Sequence, residues 1–321
     1  MRSRTVLAAI ASAAAFQSFV ATAQQAGRIY RLGFVVQQPR AKYADLLDEL
    51  GRLGFVEGGN LDVDLRGFAL TVDRLEPVAM MVASAQPDAI LAGGDAAARA
   101  AQRATSITPI IAIADDVISN RLAASLAHPE GNLTGISILA GELNGKRQEL
   151  LSEMISGSRR IPALVDPVTT TAEQLNVLTE AARSRGLELS VHRAATREQI
   201  APAIEEARVS RAQGLNVFAS ALLNANRALI IERSAAAQLP AMYQFPEHCE
   251  EGGLAGYGSR LSLLYRQAAG MLAKTFAGSK PTDLPVEQPT RMELCFNLKT
   301  AKALGLTVPQ TLLARADEVI E

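Results

Sequence analysis

The sequence predicts an α/β protein built from two doubly wound parallel-sheet lobes joined by a multi-strand hinge. Three observations predict it. Short apolar, β-branched runs alternate with amphipathic segments of helical period through most of the chain, the pattern of parallel strands covered on both faces. The alternation occurs twice, once on each side of the middle of the 321-residue chain. Between the two halves stands a sharp break, His128-Pro129-Glu130-Gly131-Asn132, followed by the β-branched run 133–138.

In the first half, strands are expected at 29–36, 61–66, 88–93, 109–114 and 133–138. Tyr43, Leu46, Leu47, Leu50 and Leu53 recur at helical spacing, and Gly54 stops that helix. Asp73 and Glu76 open the next with capping-box spacing. Further helices are expected at 95–104 and 120–127, with the break ending the last. In the second half strands are expected at 161–166, 187–192, 215–220, 240–244 and 254–258, with helices at 171–185, 196–213, 224–238 and 246–251. A helix at 260–278, a Pro-rich connector at 279–290 and a strand at 291–298 follow. One helix and one strand bury no core alone, so this tail must be added to the two lobes.

The run from 133 and the segment 252–258 read as crossings between lobes, and the connector near 281–290 as a third. The expected division is a signal peptide at 1–23, a first lobe at 28–134 plus 259–285, and a second at 135–255 plus 286–321. The signal rests on Arg2 and Arg4 before an apolar run to Val20 and on Ala21-Thr22-Ala23, a small-x-small cleavage pattern. The apolar run is shorter than the roughly 20 residues of a membrane span, so export with cleavage is expected, and a periplasmic mature chain.

Composition narrows function. At 48% hydrophobic and 20% charged the chain can bury real cores, and a formal net charge of −1 offers no basic surface for nucleic acid. The three histidines, His128, His192 and His248, lie far apart, so neither a metal site nor a catalytic constellation is expected, and no cofactor motif is present. Ser220 lacks the flanking glycines of a nucleophile elbow. Cys249 and Cys295 are two cysteines, not a disulfide framework, and separate buried thiols are expected.

Open parallel sheets bind ligands at the carboxyl ends of their strands. Gln37 and Gln38 follow the first strand there, and Gly94, Asp95 and Ala96 follow the third, with backbone donors at a helix start suited to a carboxylate. Asp115 and Asp116 end the fourth strand, as an amine site, a cap or a plain surface loop. In the second lobe the candidates are Thr169 and Thr170, then Ser220, Leu222 and Asn224, then Tyr243 and Gln244, with Tyr257 in the crossing. Tyr243 is a candidate to stack on an aromatic ligand.

The stretches 53–61, 128–137, 142–154 and 250–258, and above all the block 278–321, resemble the extracytoplasmic substrate-binding proteins of ABC transporters, in the family that includes proteins similar to tryptophan- and tyrosine-binding proteins. The resemblance covers the mature chain. It implies a type I periplasmic-binding-protein fold, a small organic ligand (an amino acid, aromatic or other carboxylate) clamped between lobes, an ABC permease as partner, a monomer, and no catalysis. Asp115-Asp116-Val117 departs from a common Gly-Asp-Pro of that family at the cleft, so ligand identity does not carry over. A periplasmic sensor of the same fold and an exported α/β enzyme using the same cleft are the alternatives. The export signal and the lack of a helix-turn-helix before residue 30 count against a sugar-type repressor.

Overall fold

The computed structural model describes residues 27–321, so the expected signal peptide lies outside the described residues. The chain runs through β1 (Tyr30–Val36), α1 (Ala44–Arg52), β2 (Leu61–Val63), α2 (Val72–Ser84), β3 (Ala89–Gly93), α3 (Asp95–Ala104), β4 (Ile110–Ala114) and β5 (Leu133–Ser137). These strands form one parallel sheet in the order β2-β1-β3-β4-β5. Successive side chains on β1 point to opposite faces. Leu32, Phe34 and Val36 share a core with Leu46 and Leu50 of α1, and Val35 shares one with Val78 and Val82 of α2. Because both faces are covered, both parities of the strand are apolar.

The second sheet is built from α4 (Ala140–Met154), β6 (Ala163–Val165), α5 (Ala172–Ser184), β7 (Val191–Arg193), α6 (Arg197–Val209), β8 (Leu215–Val217), α7 (Ala221–Ala225), α8 (Arg227–Ala236), β9 (Ala241–Tyr243), α9 (Glu247–Glu250) and β10 (Ala255–Gly258). The chain then leaves for α10 (Leu261–Phe276) and returns through β11 (Glu293–Asn297), α11 (Leu298–Ala303), α12 (Gln310–Leu313) and β12 (Glu318–Ile320). Strand order is β12-β11-β10-β9-β8-β6-β7, parallel except where β11 meets β10.

The antiparallel pair follows from α10. Its apolar face, Leu264, Ala268 and Leu272, is buried with Phe34 and Leu46 in the first lobe's core. The chain must therefore come back, and it does so past β5. Ser137 N–H donates to the Glu287 carbonyl at 2.9 Å, and Glu287 N–H donates to that of Gly135 at 2.8 Å. The Thr134 hydroxyl donates to the Leu284 carbonyl at 2.7 Å.

Several expectations need correction. The runs at 133–138 and 252–258 are not themselves the crossings: β5 is the edge of the first sheet and β10 belongs to the second, and the chain passes over just after each. Leu139, at the first passage, is left-handed with φ 56°. Arg260, at the second, donates to Glu293 Oε2 at 2.6 Å and so ties this passage to the start of β11. No helix forms at 120–127; the segment is a set of turns. Asp116 Oδ1 accepts from the Ile118 and Ser119 N–H groups, and Arg121 is left-handed, which competes with helix formation. Helix α2 starts after Thr71 without a side-chain cap, so Asp73 and Glu76 form no capping box. Cys249 and Cys295 are, as expected, buried free thiols, and Cys249 Sγ donates to the Cys295 carbonyl at 3.3 Å.

Gly135 on β5 has φ 148°, and a Cβ there would lie 1.9 Å from the Ala112 carbonyl oxygen. Gly135→Ala is expected to lower stability by about 3 kcal/mol, the upper part of the overpacking range, read as a shift of the urea midpoint.

Candidate functional site between the lobes

The carboxyl ends of the strands in the two sheets face one another across a cavity of about 50 Å³. Gln37 and Gln38 follow β1, Gly93 ends β3 with Gly94 after it, and Asp115 follows β4. From the other lobe come Ser220, Ala221 and Asn224 around α7, and Gln244 and Phe245 after β9. The lobes touch here: a Cβ on Gly94 (φ 95°) would sit 2.5 Å from the Ala221 Cβ. Glycine is thus required both by conformation and by the close approach. A void of about 150 Å³ is what takes a benzene ring, so this arrangement has room for only a few heavy atoms.

The cavity polar groups are held from behind. Gln38 Oε1 accepts from Arg227 Nη1 at 3.3 Å, while its Nε2, buried, has no partner. Asn224 Oδ1 lies 3.1 Å from His248 Nε2. Burial, and then the nearby Arg227 guanidinium, lowers the His248 pKa to about 3. The ring is therefore neutral. Assigning its proton to Nε2 satisfies Asn224 Oδ1 and leaves the amide Nδ2 for the cavity. Gln244 Oε1 is buried without a partner.

Two carboxyls dominate the electrostatics. Asp95 Oδ2 accepts from the Asp115 N–H at 3.2 Å, which brings the two buried carboxyls together. Burial raises both pKa values, and the repulsion of Asp95 raises that of Asp115 further. Two carboxyls out of water in contact cannot both ionise cheaply, so they share a proton. Asp166, whose pKa burial also raises, accepts from the Ser220 hydroxyl at 2.9 Å. Arg147, 2% exposed, is one of two buried cations at the site, the other being Arg227. Arg147 Nε donates to the Tyr257 carbonyl at 2.8 Å and its Nη1 to Asn144 Oδ1 at 2.9 Å. Burial lowers its pKa to about 10 against the attraction of Asp115, so it stays charged at neutral pH.

Of the residues singled out from the sequence, Gln37, Gln38, Gly94, Asp115, Ser220, Asn224 and Gln244 line the cavity. Asp95 stands directly behind Asp115. The other candidates do not reach the cavity. Asp116 folds into its own turn. Ala96 packs on the α2–α3 core and Leu222 is buried in α7. Thr169 and Thr170 form the turn after β6, their N–H groups donating to the Asp166 carbonyl. Tyr243 is buried among Leu223, Ile230 and Leu239, and Tyr257 packs beside the core containing Leu294, so neither ring stacks in the cavity. The expectation of a free Gly94 N–H is corrected too, since it donates to the Ile113 carbonyl at 2.8 Å.

The walls went unread in the sequence: Tyr43, Ile113, Ile138, Leu261 and Tyr265. So did the polar row Asn144, Arg147 and Gln148, buried on one face of α4. Its i, i+3, i+4 spacing, in line with Leu151, was the available signal. Lys146, on that helix, pairs with Glu149.

A family described as ABC transporter substrate binding protein matches residues 39–320. The chain belongs to this family. Among solved structures, a conserved domain protein from Vibrio cholerae is similar at 24% identity and a TM-score of 0.82, covering 91% of this chain and 99% of that one. A domain from Streptococcus pneumonia in complex with L-Trp is similar at 21% identity and 0.80, covering 91% and 100%. A ligand-free, open substrate-binding protein with adhesive properties from Clostridium difficile is similar at 22% and 0.61, covering 91% and 99%. A comparison with curated proteins gives no match. These likenesses establish a type I periplasmic-binding-protein fold, and the family to which the chain belongs is one of extracytoplasmic substrate-binding proteins. Among the described residues no helix is long and apolar enough to cross a membrane.

Raised carboxyl pKa values mean that the folded chain holds a proton the unfolded chain releases above about pH 4. That stabilisation is present at acid pH and lost as pH rises through the folded values. Asp115→Asn, which keeps a hydrogen bond to Asp95 without the second charge, is expected to be more stable than wild type by a margin that widens from pH 4 to pH 8. The margin grows by at most about 1.4 kcal/mol per pH unit, read from urea midpoints at three pH values.

Proposed function

We propose that the mature protein captures a small polar solute between its lobes in the periplasm and delivers it, chemically unchanged, to the permease of an ABC importer. The observation that carries this reading is the convergence of buried, unpartnered polar atoms from both lobes, Gln38 Nε2 and Gln244 Oε1, on one interlobe cavity. A solute bridging them gives the closed form a differential affinity, which is the condition for a ligand to drive closure. Membership of the substrate-binding family supports it.

The rim supplies a latch. Lys42 of the first lobe donates to Glu251 Oε1 of the second at 3.0 Å. Glu251 in turn holds Arg227 in a fork at 2.7 and 2.8 Å, and Arg227 reaches back to Gln38. Opening the lobes breaks the first and last of these contacts. No residue at the cavity is set up for catalysis. The Ser220 hydroxyl donates to Asp166 and accepts the Leu223 N–H as a helix cap, and His248 is neutral and turned to Asn224. The carboxylate expected at the start of α3 is disfavoured, because Asp95 and Asp115 occupy that end of the cavity. A monomeric chain without nucleic-acid partners completes the reading.

The test is a thermal-shift screen of the mature protein, with small-angle scattering and recovery of the solute that scores best. A smaller radius of gyration at saturation and an unaltered solute are expected. A chemically changed solute, or no solute that moves either readout, would overturn the proposal. Glu251→Ala is expected to raise Kd about three- to tenfold, mostly through faster release. Lys42 is half-exposed, which keeps the loss near 1 kcal/mol; stopped-flow dissociation measures it.

A further inference from the structure

Building on the solute-capture reading, we infer that the cavity takes a primary ammonium group of its solute, seated between Asp115 of the first lobe and Gln244 of the second, and that its entry expels the proton shared by Asp115 and Asp95.

Charge is the first support. Three buried acids converge at this end of the cavity: Asp115 from the end of β4, Asp95 from the start of α3, and Asp166 from the loop after β6. One buried cation, Arg147 of α4, faces them, and its guanidinium is committed to the Tyr257 carbonyl, Asn144 Oδ1 and, at 3.4 Å, the Gln244 carbonyl. Arg227 is held by Glu251, and His248 is neutral. A carboxylate brought here adds a further anion to an excess of buried acids, whereas an ammonium offsets it.

Hydrogen-bond geometry is the second and independent support. Asp115 Oδ2 and Gln244 Oε1 are buried acceptors without a donor, in side chains more than nine-tenths buried that line the same cavity from opposite lobes. An ammonium carries three donors and no acceptor, the complement of such a pair. Tyr43, Tyr265 and Phe245 on the walls present aromatic rings, which favour a cation over an anion. The small cavity suits one tetrahedral head group rather than an aromatic side chain.

The step balances without a co-reactant. The ammonium enters protonated, Asp115 becomes a carboxylate, and one proton passes to solvent. The groups facing the dyad are Asp166, Arg147 and the Asn120 amide, of which only Asp166 titrates near its range, and its hydrogen bonds from Ser220 Oγ and the Val168 N–H favour its charged form. Cation binding should therefore strengthen as pH rises and the shared proton becomes easier to release.

The test is calorimetric titration of the mature protein with ethylammonium, propanol and acetate in two buffers of different ionisation enthalpy. Ethylammonium is expected to bind saturably in the millimolar range, several-fold more tightly at pH 8 than at pH 5, with proton release visible as a buffer-dependent enthalpy; acetate and propanol should not bind. Asp115→Asn should weaken ethylammonium at least tenfold and abolish proton release. Asp95→Asn should keep the binding and lose its pH dependence. Melting temperatures check that both variants are folded. Acetate binding in place of ethylammonium, no ethylammonium binding at tens of millimolar, or equal binding by wild type and Asp115→Asn would overturn the assignment. If ethylammonium fails but another solute closes the lobes, solute capture stands and the ammonium assignment falls. If no solute closes them, the capture reading falls as well.

Discussion

The docking of α10 on the first sheet is the constraint from which the rest of the architecture follows. The α1 side of that sheet presents Leu32, Phe34 and Val36, and helix α1 alone does not cover it. The missing cover comes from a helix that the chain reaches only after most of the second sheet has been built. Burying Leu264, Ala268 and Leu272 there removes several large apolar side chains from water, each worth about 1.5–3 kcal/mol. The consequence is topological. The chain must leave the second lobe after β10 and re-enter it before β11, so three passages join the lobes instead of one. It also explains why β11 is the strand that runs against its neighbour.

Three passages make the hinge a short ribbon rather than a flexible tether. Glu287 runs beside β5 and Arg260 clasps Glu293, so the passages are cross-linked close to where they leave the sheets. Motion is thereby confined to a few residues such as Leu139, already in a conformation uncommon for its type. Under the proposed solute capture, closure brings the same two sheet edges together each time, so that unpartnered atoms as small as an amide oxygen on one lobe and a carboxyl oxygen on the other define the proposed site.

The cost of this site lies in its buried polar groups. Asp95 and Asp115 share one proton and so carry a single negative charge as a pair, and Gln38 Nε2 and Gln244 Oε1 lack partners. Such groups destabilise a fold when left unsatisfied, and they lie at the interlobe surface rather than within either lobe's core. Arg147 and its neighbours on α4 play the opposite part. Engaged with Tyr257 and Asn144, they hold β10 against α4 within the second lobe.

Much of the fold was legible in the sequence. The alternation of apolar runs and helical periods located the strands of both sheets except β12, and helix α3 starts and ends where its pattern does, at Asp95 and Ala104. Local chemistry misled where a side chain captured the backbone, as Asp116 does in the turns that replace a helix at 120–127. Strand ends also directed attention to loops that line the interlobe cavity. What the sequence by itself determined was therefore the class of fold, two sheets with covered faces, and the loops that meet in the cleft. Only the tertiary structure decided which side chains in those loops face the cavity. Tyr243 and Gln244 are adjacent, yet one enters the core and the other the cleft, because successive side chains at a strand end point to opposite sides. Asp115 and Asp95 are twenty residues apart and become one titrating unit only because β3 and β4 are neighbours in register. Periodicity is a property of single segments, whereas a binding site is a property of their juxtaposition.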